Sequence, residues 1–282
     1  MIFPYKLIDL THTLHPHIPT WPGGCGFHHD VHIDYADCEG EDTFRVMNIR
    51  MHAGIGTHMD APSHCIAGAK SIHDFDVNDL VMPCVVMDIS HKCHERYSLC
   101  IQDVTEFERI HGKIAAGSCV FVKTGWSKFW HQQPTENRWQ NLTDMTDNPP
   151  TIQTTENASQ KLESHPPKEW PFLLESTAQN AQPSKYHNNH VFPSVSPGAA
   201  ELLLDRGVNA LGIDTLSPDR PEDGFPVHRL FLGADKIIIE NVAHLDSMPP
   251  AGSFVMVLPM KIENGTEAPV RLAGLIPRKN VS

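Results

Sequence analysis

Nine short apolar runs of about β-strand length dominate this 282-residue chain and limit the folds it can adopt. In chain order they are YKLIDLTHTL, FHHDVHIDY, TFRVMNIRM, CVVMDIS, SCVFVKTGW, NALGID, KIIIEN, SFVMVLPM and APVRLAGL. Only two segments carry helix signals. So many strands with so few helices predict a mixed, β-rich α/β domain rather than a regular doubly wound sheet.

The two predicted helices have recognisable ends. In SPGAAELLLDRG, Ser196 can cap the N-terminus, Pro197 suits the first turn and Gly207 suits the C-terminal exit. The other helix runs from about Gln102 to His111 and ends at Gly112. Both are short enough to cover one side of a sheet.

The length and the 40% content of hydrophobic residues fit a single domain over residues 1–282 with a substantial core. One segment differs, from about residue 132 to residue 189, and is rich in Gln, Asn, Thr, Ser and Pro. We interpret it as an insertion that forms a lid or an interface element, because ordered loops of that length are uncommon without a role. The alternative is disorder.

Composition excludes several classes of function. A formal net charge of -12 argues against nucleic-acid binding, which depends on Lys and Arg that neutralise phosphates. No apolar run is long enough to span a membrane, and the start MIFPYKLIDL lacks signal-peptide features, so we expect a cytoplasmic protein without membrane partners. Seven cysteines without a CxxC pair indicate reduced thiols.

The stretch MHAGIGTHMDAPSHC, residues 51–65, gathers histidines and an aspartate among small residues. His58 and Asp60 are two residues apart, so in an extended segment both side chains project to the same side and can share a divalent cation. His64 can lie beside that cation without binding it, which suits a general acid or base. The alternative is a loop with ordinary histidines and a capping aspartate.

Other hydrolytic machinery is missing from the sequence. It contains no GxSxG elbow, no recognised nucleophilic cysteine signature and no HExxH zinc helix. Phosphate-binding GxGxxG and GxxxxGK[ST] loops are also absent, which disfavours nucleotide-dependent reactions. The sequence therefore points to water activated by a metal ion.

The motif GTHMDAPSH resembles the HxGTHxDxPxH signature of the cyclase-like metal-dependent hydrolases, which include bacterial kynurenine formamidases and isatin hydrolases. The segments DLTHTLHPHIPTWPG, SPGAAELLLDRGVNALGIDTLSPD and FPVHRLFLGADKIIIEN follow the order of that family. The resemblance implies the family's swivelling β/β/α domain and a homo-oligomer, a dimer or a tetramer.

The same resemblance implies a set of metal ligands. His58 and Asp60 match ligand positions, with Asp60 able to bridge two ions, and His228 and Glu240 match the remaining positions. Imidazole and carboxylate ligands suit Zn²⁺ and Mn²⁺ alike. His228 has the alternative of a helix-surface residue, whereas Glu240 follows an apolar run and needs a partner if it is buried.

One position departs from the family pattern. The pattern has a histidine four residues before His58, where this chain has Gly54; the nearest candidate ligand is His52. A bulge could bring His52 to the metal, but a histidine at the end of a strand has an equally good structural explanation. The number of ions per chain, one or two, therefore stays open.

The resemblance implies an arylformamidase that cleaves N-formylkynurenine, a small aromatic amide, to kynurenine and formate. His64 would manage the proton, and Trp21 could stack against the aromatic ring, or it could pack under its Pro-rich turn. Two alternatives remain. One is an isatin hydrolase or another cyclic amide or lactone hydrolase with the same metal site, and the other is a metal-binding protein without catalytic activity.

Overall fold

The computed structural model describes residues 3–21, 26–130 and 191–278, so the predicted insertion at 132–189 lies outside the described residues. Within these ranges the chain forms twelve strands and three α-helices. The strands are β1 (Tyr5–Asp9), β2 (Phe27–Ile33), β3 (Val46–Met51), β4 (His58–Asp60), β5 (Val81–Asp88), β6 (Ser98–Leu99), β7 (Cys119–Lys123), β8 (Ser194–Val195), β9 (Ala210–Ile213), β10 (Ile237–Glu240), β11 (Ser253–Pro259) and β12 (Glu267–Pro277). The helices are α1 (Ile101–His111), α2 (Pro197–Asp205) and α3 (Pro226–Gly233).

The main sheet is mixed and closes on itself. Its strand order is β1-β12-β11-β5-β7-β9-β10-β4, and β4 also pairs with β12. The neighbours β5, β7, β9 and β10 are parallel, whereas the other pairings are antiparallel. The result is a barrel with β1 added at β12, which confirms the predicted β-rich α/β class.

The barrel closes through a strand of only three residues. β4 lies between β10 and the first residues of β12, and it is antiparallel to both. Further along, β12 turns to pair with β11 and β1. The closing strand consists of His58, Met59 and Asp60, so the motif found in the sequence is also the seam of the barrel.

Alternating side chains of the parallel strands build two cores. In β7, Cys119 and Phe121 face the barrel interior, whereas Val120 and Val122 face the layer formed by the helices. Gly212 on the neighbouring strand β9 makes room for the Phe121 ring in the barrel interior, since a Cβ at position 212 would lie 2.3 Å from that ring. Both faces of these strands are therefore buried, as their continuous apolar sequence indicates.

The sequence-based elements compare well with the structure. Each of the nine apolar runs contains a strand, and both predicted helices are confirmed, with Ser196 accepting a hydrogen bond from the amide of Ala199. The sequence reading missed α3 and did not assign β4 as a strand. All six cysteines in the described ranges are free, and the expectation of reduced thiols stays a prediction.

A two-stranded ribbon of β2 and β3 stands apart from the barrel, and most of its side chains are exposed. Its exposed apolar residues include Val31, Val46, Met47 and Ile49. Such a surface is compatible with a partner subunit, but the homo-oligomer stays a prediction. In the described part of the chain, no helix has both the length and the apolar character needed to cross a membrane.

A buried carboxylate ties α1 to the end of α2. Glu108 accepts two hydrogen bonds from the guanidinium of Arg206, at 2.8 and 3.1 Å, and one from Lys113 at 2.6 Å. The Arg206 hydrogen bonds outweigh burial and, with Lys113, lower the pKa of Glu108 to about 2. Ionised Glu108 therefore stabilises the packing of these two helices.

We expect Glu108→Gln to lower the free energy of unfolding at pH 7 by roughly 3 kcal/mol, because a carboxyl pKa lowered to about 2 corresponds to that amount. The pKa is lower in the folded state, so this stabilisation is present above the unfolded-state pKa and is lost as the pH falls towards about 2. Urea denaturation at several pH values measures it.

The matched control is Glu106→Gln on the same helix, since Glu106 pairs with Arg109 at the exposed surface. We expect no shift of its denaturation midpoint. Equal effects of the two substitutions would contradict the assigned role of Glu108.

Candidate metal centre

The closing strand places two potential ligands side by side. His58 and Asp60 project from the same face of β4 and are almost fully buried. Glu240 lies directly opposite His58 on β10. Nε2 of His58 is 3.4 Å from a carboxylate oxygen of Asp60 and 3.4 Å from one of Glu240. Its Nδ1 lies 2.9 Å from the carbonyl oxygen of Gly56, so Nε2 is the atom that faces the carboxylates.

The fourth side chain comes from the first turn of α3. Nε2 of His228 is 3.7 Å from Oδ2 of Asp60 and 3.4 Å from Oε1 of Glu240. His228 is 5% exposed, so the helix-surface alternative is wrong, although the residue does lie on a helix. The structure thus brings together His58, Asp60, His228 and Glu240, the four ligands implied by the resemblance.

Asp219 fixes the orientation of His228. Its carboxylate accepts hydrogen bonds from the amides of Val227 and His228, at 3.0 and 2.8 Å, and caps the N-terminus of α3. Its Oδ2 also lies 2.8 Å from Nδ1 of His228. This contact directs Nε2 towards Asp60 and Glu240, as carboxylate partners of metal-binding histidines commonly do.

The four side chains fit a divalent cation. Both oxygens of Asp60 are buried, and neither has a hydrogen-bond partner among the described residues. The nitrogen-to-oxygen distances of 3.4 to 3.7 Å exceed those of good hydrogen bonds. They match the separation of about 3.4 Å between neighbouring tetrahedral ligands whose bonds to the ion are about 2.1 Å long. A cation would satisfy the unpaired Asp60 oxygens.

The electrostatics of the four side chains also favour a cation at this site. Burial disfavours the charged form of His58, but the carboxylates of Asp60 and Glu240 outweigh it and raise its pKa to about 10. Burial, together with the nearby charge of Asp60, raises the pKa of Glu240. Protons therefore compensate the buried carboxylates where a cation would otherwise do so.

His64 borders this cluster on its more open side. It ends a short 3-10 turn after β4, and 33% of its side chain is exposed. Its Nδ1 is 3.4 Å from Oε2 of Glu267, and its ring centroid is 6.0 Å from that of His228. Donor atoms of Asp60, His64 and Glu267 all lie within 4.8 Å of one another. His64 is therefore adjacent to the four converging side chains, as the sequence predicts.

His52 does not join the centre. It is exposed immediately after β3, and it belongs to neither group of ligand-capable side chains found in the described ranges. No bulge turns it towards His58. The structure thus supports the alternative interpretation of His52, that it is a polar residue at the end of a strand.

Trp21 contacts Phe225, and Phe225 in turn contacts His228 of the centre. The ring centroid of Trp21 is 6.3 Å from that of Phe225, which in turn lies 5.7 Å from the ring of His228 in an edge arrangement. Trp21 also contacts Phe192 at 6.1 Å. Both interpretations of Trp21 therefore remain, since it packs in an aromatic cluster that approaches the centre.

Sequence reasoning missed three residues at this site. Phe225 precedes α3 with a φ of 57°, a backbone conformation that is rare for a bulky residue and occurs often at functional sites. Glu267 carries no local signal, because its partners are distant in sequence. Only the proximity of Asp219 to FPVHRLFLG could have suggested a capping role.

Comparison with known families settles the membership of the chain. The model of the Cyclase family matches residues 8–220. The chain belongs to the Cyclase family. Family membership agrees with the resemblance found in the motif GTHMDAPSH, which contains the closing strand β4.

Other members of the Cyclase family are similar over most of the chain. An isatin hydrolase of Roseibium aggregatum is 26% identical over 79% of this chain and 72% of its own length. A kynurenine formamidase of Salinibacter ruber is 23% identical over 94% of this chain and 95% of its own. The solved isatin hydrolase A of Labrenzia aggregata, bound to benzyl benzoate, has the same fold, with a TM-score of 0.70, 24% identity and coverage of 98% and 95% of the two chains.

We expect Asp219→Asn to weaken the binding of Zn²⁺ or Mn²⁺ by about 10- to 100-fold, because it removes the charge that orients His228. Competition with a chromophoric chelator measures the affinity. The control is Asp223→Asn, an exposed carboxylate that pairs with Arg220 before the same helix. Equal affinities in wild type and Asp219→Asn would refute the orienting role.

Proposed function

We propose that this protein is a metal-dependent hydrolase that cleaves an amide bond attached to an aromatic ring. The observation that carries the proposal is the buried carboxylate of Asp60, which lies between two imidazoles and a second carboxylate and accepts no hydrogen bond from the described residues. A divalent cation would satisfy both of its oxygens, and His and carboxylate ligands suit Zn²⁺ or Mn²⁺.

His58, Asp60, His228 and Glu240 would hold the ion. A bound divalent ion polarises a carbonyl and lowers the pKa of a coordinated water towards about 7. The protein supplies rigid placement, since three of these side chains stand on strands at the barrel seam and the fourth stands on the first turn of a helix. Asp219 keeps the fourth, His228, in the correct orientation.

His64 would transfer the proton. Its Nδ1 faces the carboxylate of Glu267, which leaves Nε2 to face the reacting groups. Water adds its oxygen to the carbonyl carbon and loses a proton to His64. The carbon–nitrogen bond then breaks, and His64 returns the proton to the departing nitrogen, giving a carboxylic acid and an amine. Proton transfer of this kind is typically worth about 10² to 10⁴ in rate.

The aromatic residues beside the centre suit an aromatic substrate. Phe225 contacts His228 by its ring edge, and Trp21 extends the same apolar wall. Both rings are only partly buried, so their faces can contact a ligand. N-formylkynurenine fits this description and is our first candidate, with formate and kynurenine as products.

Isatin is the second candidate, and a specific observation favours it. The isatin hydrolase of Roseibium aggregatum is similar to 79% of this chain. Opening a cyclic amide would use the same metal ligands and the same proton transfer by His64. The one difference is that the departing nitrogen stays attached to the product through the ring. The two substrates therefore have to be compared directly.

We expect purified enzyme with quantified metal to release formate from N-formylkynurenine, and we expect His64→Ala to lower kcat by about 10² to 10⁴ with unchanged metal content. Formate and metal are measured on the same sample. The control is His91→Ala, an exposed histidine outside the centre, which should retain full activity. Removal of the metal by a chelator should abolish turnover in wild type.

Three outcomes separate the alternatives. Undiminished turnover by His64→Ala would refute its role. Hydrolysis of isatin without hydrolysis of N-formylkynurenine would change the substrate and keep the site. Bound metal without turnover of any aromatic amide or lactone would favour a non-catalytic metal-binding protein.

We expect Trp21→Ala to raise KM for the aromatic substrate by about fivefold with little change in kcat, since one aromatic contact contributes about 1 kcal/mol. Trp21→Phe keeps a ring at this position and should restore most of the affinity. Steady-state kinetics measures both values. A change in thermal stability with unchanged KM would instead support a packing role under the Pro-rich turn.

A further inference from the structure

Position 54 is glycine, and its missing side chain explains the location of Glu267. A Cβ on Gly54 would lie 2.2 Å from Oε1 of Glu267 and 3.4 Å from Nε2 of His58. No side chain could occupy that space without displacing the carboxylate. Glu267 therefore fills the volume next to His58 that a residue at position 54 would otherwise enter.

The strand register directs Glu267 into the centre. Glu267 lies directly opposite Asp60 in the antiparallel pair of β12 and β4, so both side chains are on the same face. Two carboxylates in this arrangement repel each other unless positive charge lies between them. Thr266 donates a hydrogen bond to Oε2 of Glu267 at 2.8 Å, and His64 contacts the same oxygen, so Oε1 is the atom directed at Gly54.

The two oxygens of Asp60 face different imidazoles. Oδ1 is 3.4 Å from Nε2 of His58, whereas Oδ2 is 3.7 Å from Nε2 of His228. Both oxygens are buried and lack hydrogen-bond partners in the part of the chain that the structure describes. An aspartate in this geometry can give one oxygen to each of two cations.

We propose that Glu267 is a metal ligand and that it completes a centre of two divalent ions bridged by Asp60. The first ion has His228 and Glu240 as its other ligands. The second has His58 and Glu267, with the Glu267 carboxylate in the space of the side chain absent at position 54. This inference rests on the metal site of the proposed function and divides the four ligands named there between two ions. It does not rest on the substrate, and it leaves His64 available for proton transfer.

Metal content tests the proposal without any substrate. After loading with Mn²⁺ and gel filtration, wild type should contain two ions per chain and Glu267→Ala one. Electron paramagnetic resonance should show the magnetic coupling of two neighbouring Mn²⁺ ions in wild type and its loss in the variant. The matched control is Glu263→Ala, an exposed carboxylate in the turn before β12, which should keep both ions.

Gly54 provides a second, independent test. Gly54→Ala should displace the Glu267 carboxylate and release one ion, as Glu267→Ala does. In a Glu267→Ala background the same substitution should have no further effect on metal content, because the carboxylate it would displace is gone. The exchange variant Gly54→His with Glu267→Ala should regain the second ion, since an imidazole then enters the emptied space beside His58.

Several results would overturn the proposal: one ion per chain in wild type, two ions in Glu267→Ala, or additive losses in the Gly54 and Glu267 double variant. Glu267→Gln preserves the size of the side chain, so a loss of one ion in this variant with an unchanged melting temperature of the metal-free protein excludes a folding defect. Failure of the proposed substrate changes none of these metal counts, so the two proposals fail separately.

Discussion

Two carboxylates, Asp60 and Glu240, are buried at the seam of the barrel, and the barrel can close only if their negative charge is compensated. Asp60 is 1% exposed and Glu240 is 3% exposed, and an isolated buried carboxylate is strongly unfavourable without a partner. Both stand on strands that close the barrel, one on β4 and one on β10. The seam is therefore stable only if imidazoles, protons or a cation compensate these charges.

Two elements at the seam, β4 and α3, each contribute one imidazole that compensates these charges. His58 comes from the closing strand itself, and His228 comes from the start of α3, where Asp219 both caps the helix and orients the ring. These positions tolerate little movement, because strand pairing and helix capping fix the backbone on both sides. The candidate metal centre and the closure of the barrel are thus one structural feature.

The centre is closed on one side and more open on the other. Its four converging side chains are buried, whereas 33% of the His64 side chain and 23% of the Glu267 side chain are exposed. Structural metal sites have saturated, enclosed coordination, and catalytic sites keep an accessible side. The asymmetry supports an enzyme more than a protein that merely binds metal. Trp21 and Phe225 add a partly exposed aromatic wall near His228.

The local structure and the residues of the candidate metal centre could be predicted from the amino-acid sequence. Alternating and continuous apolar runs located nine strands, Ser196 and Gly207 marked the ends of α2, and the two-residue spacing of His58 and Asp60 placed both on one face. Three features could not be predicted in this way and became visible in the fold: β4 closes the barrel, Asp219 orients His228, and Glu267 occupies the space at Gly54. The physical reason is that helix caps and side-chain periodicity act over a few residues, whereas strand register between distant segments determines which side chains meet.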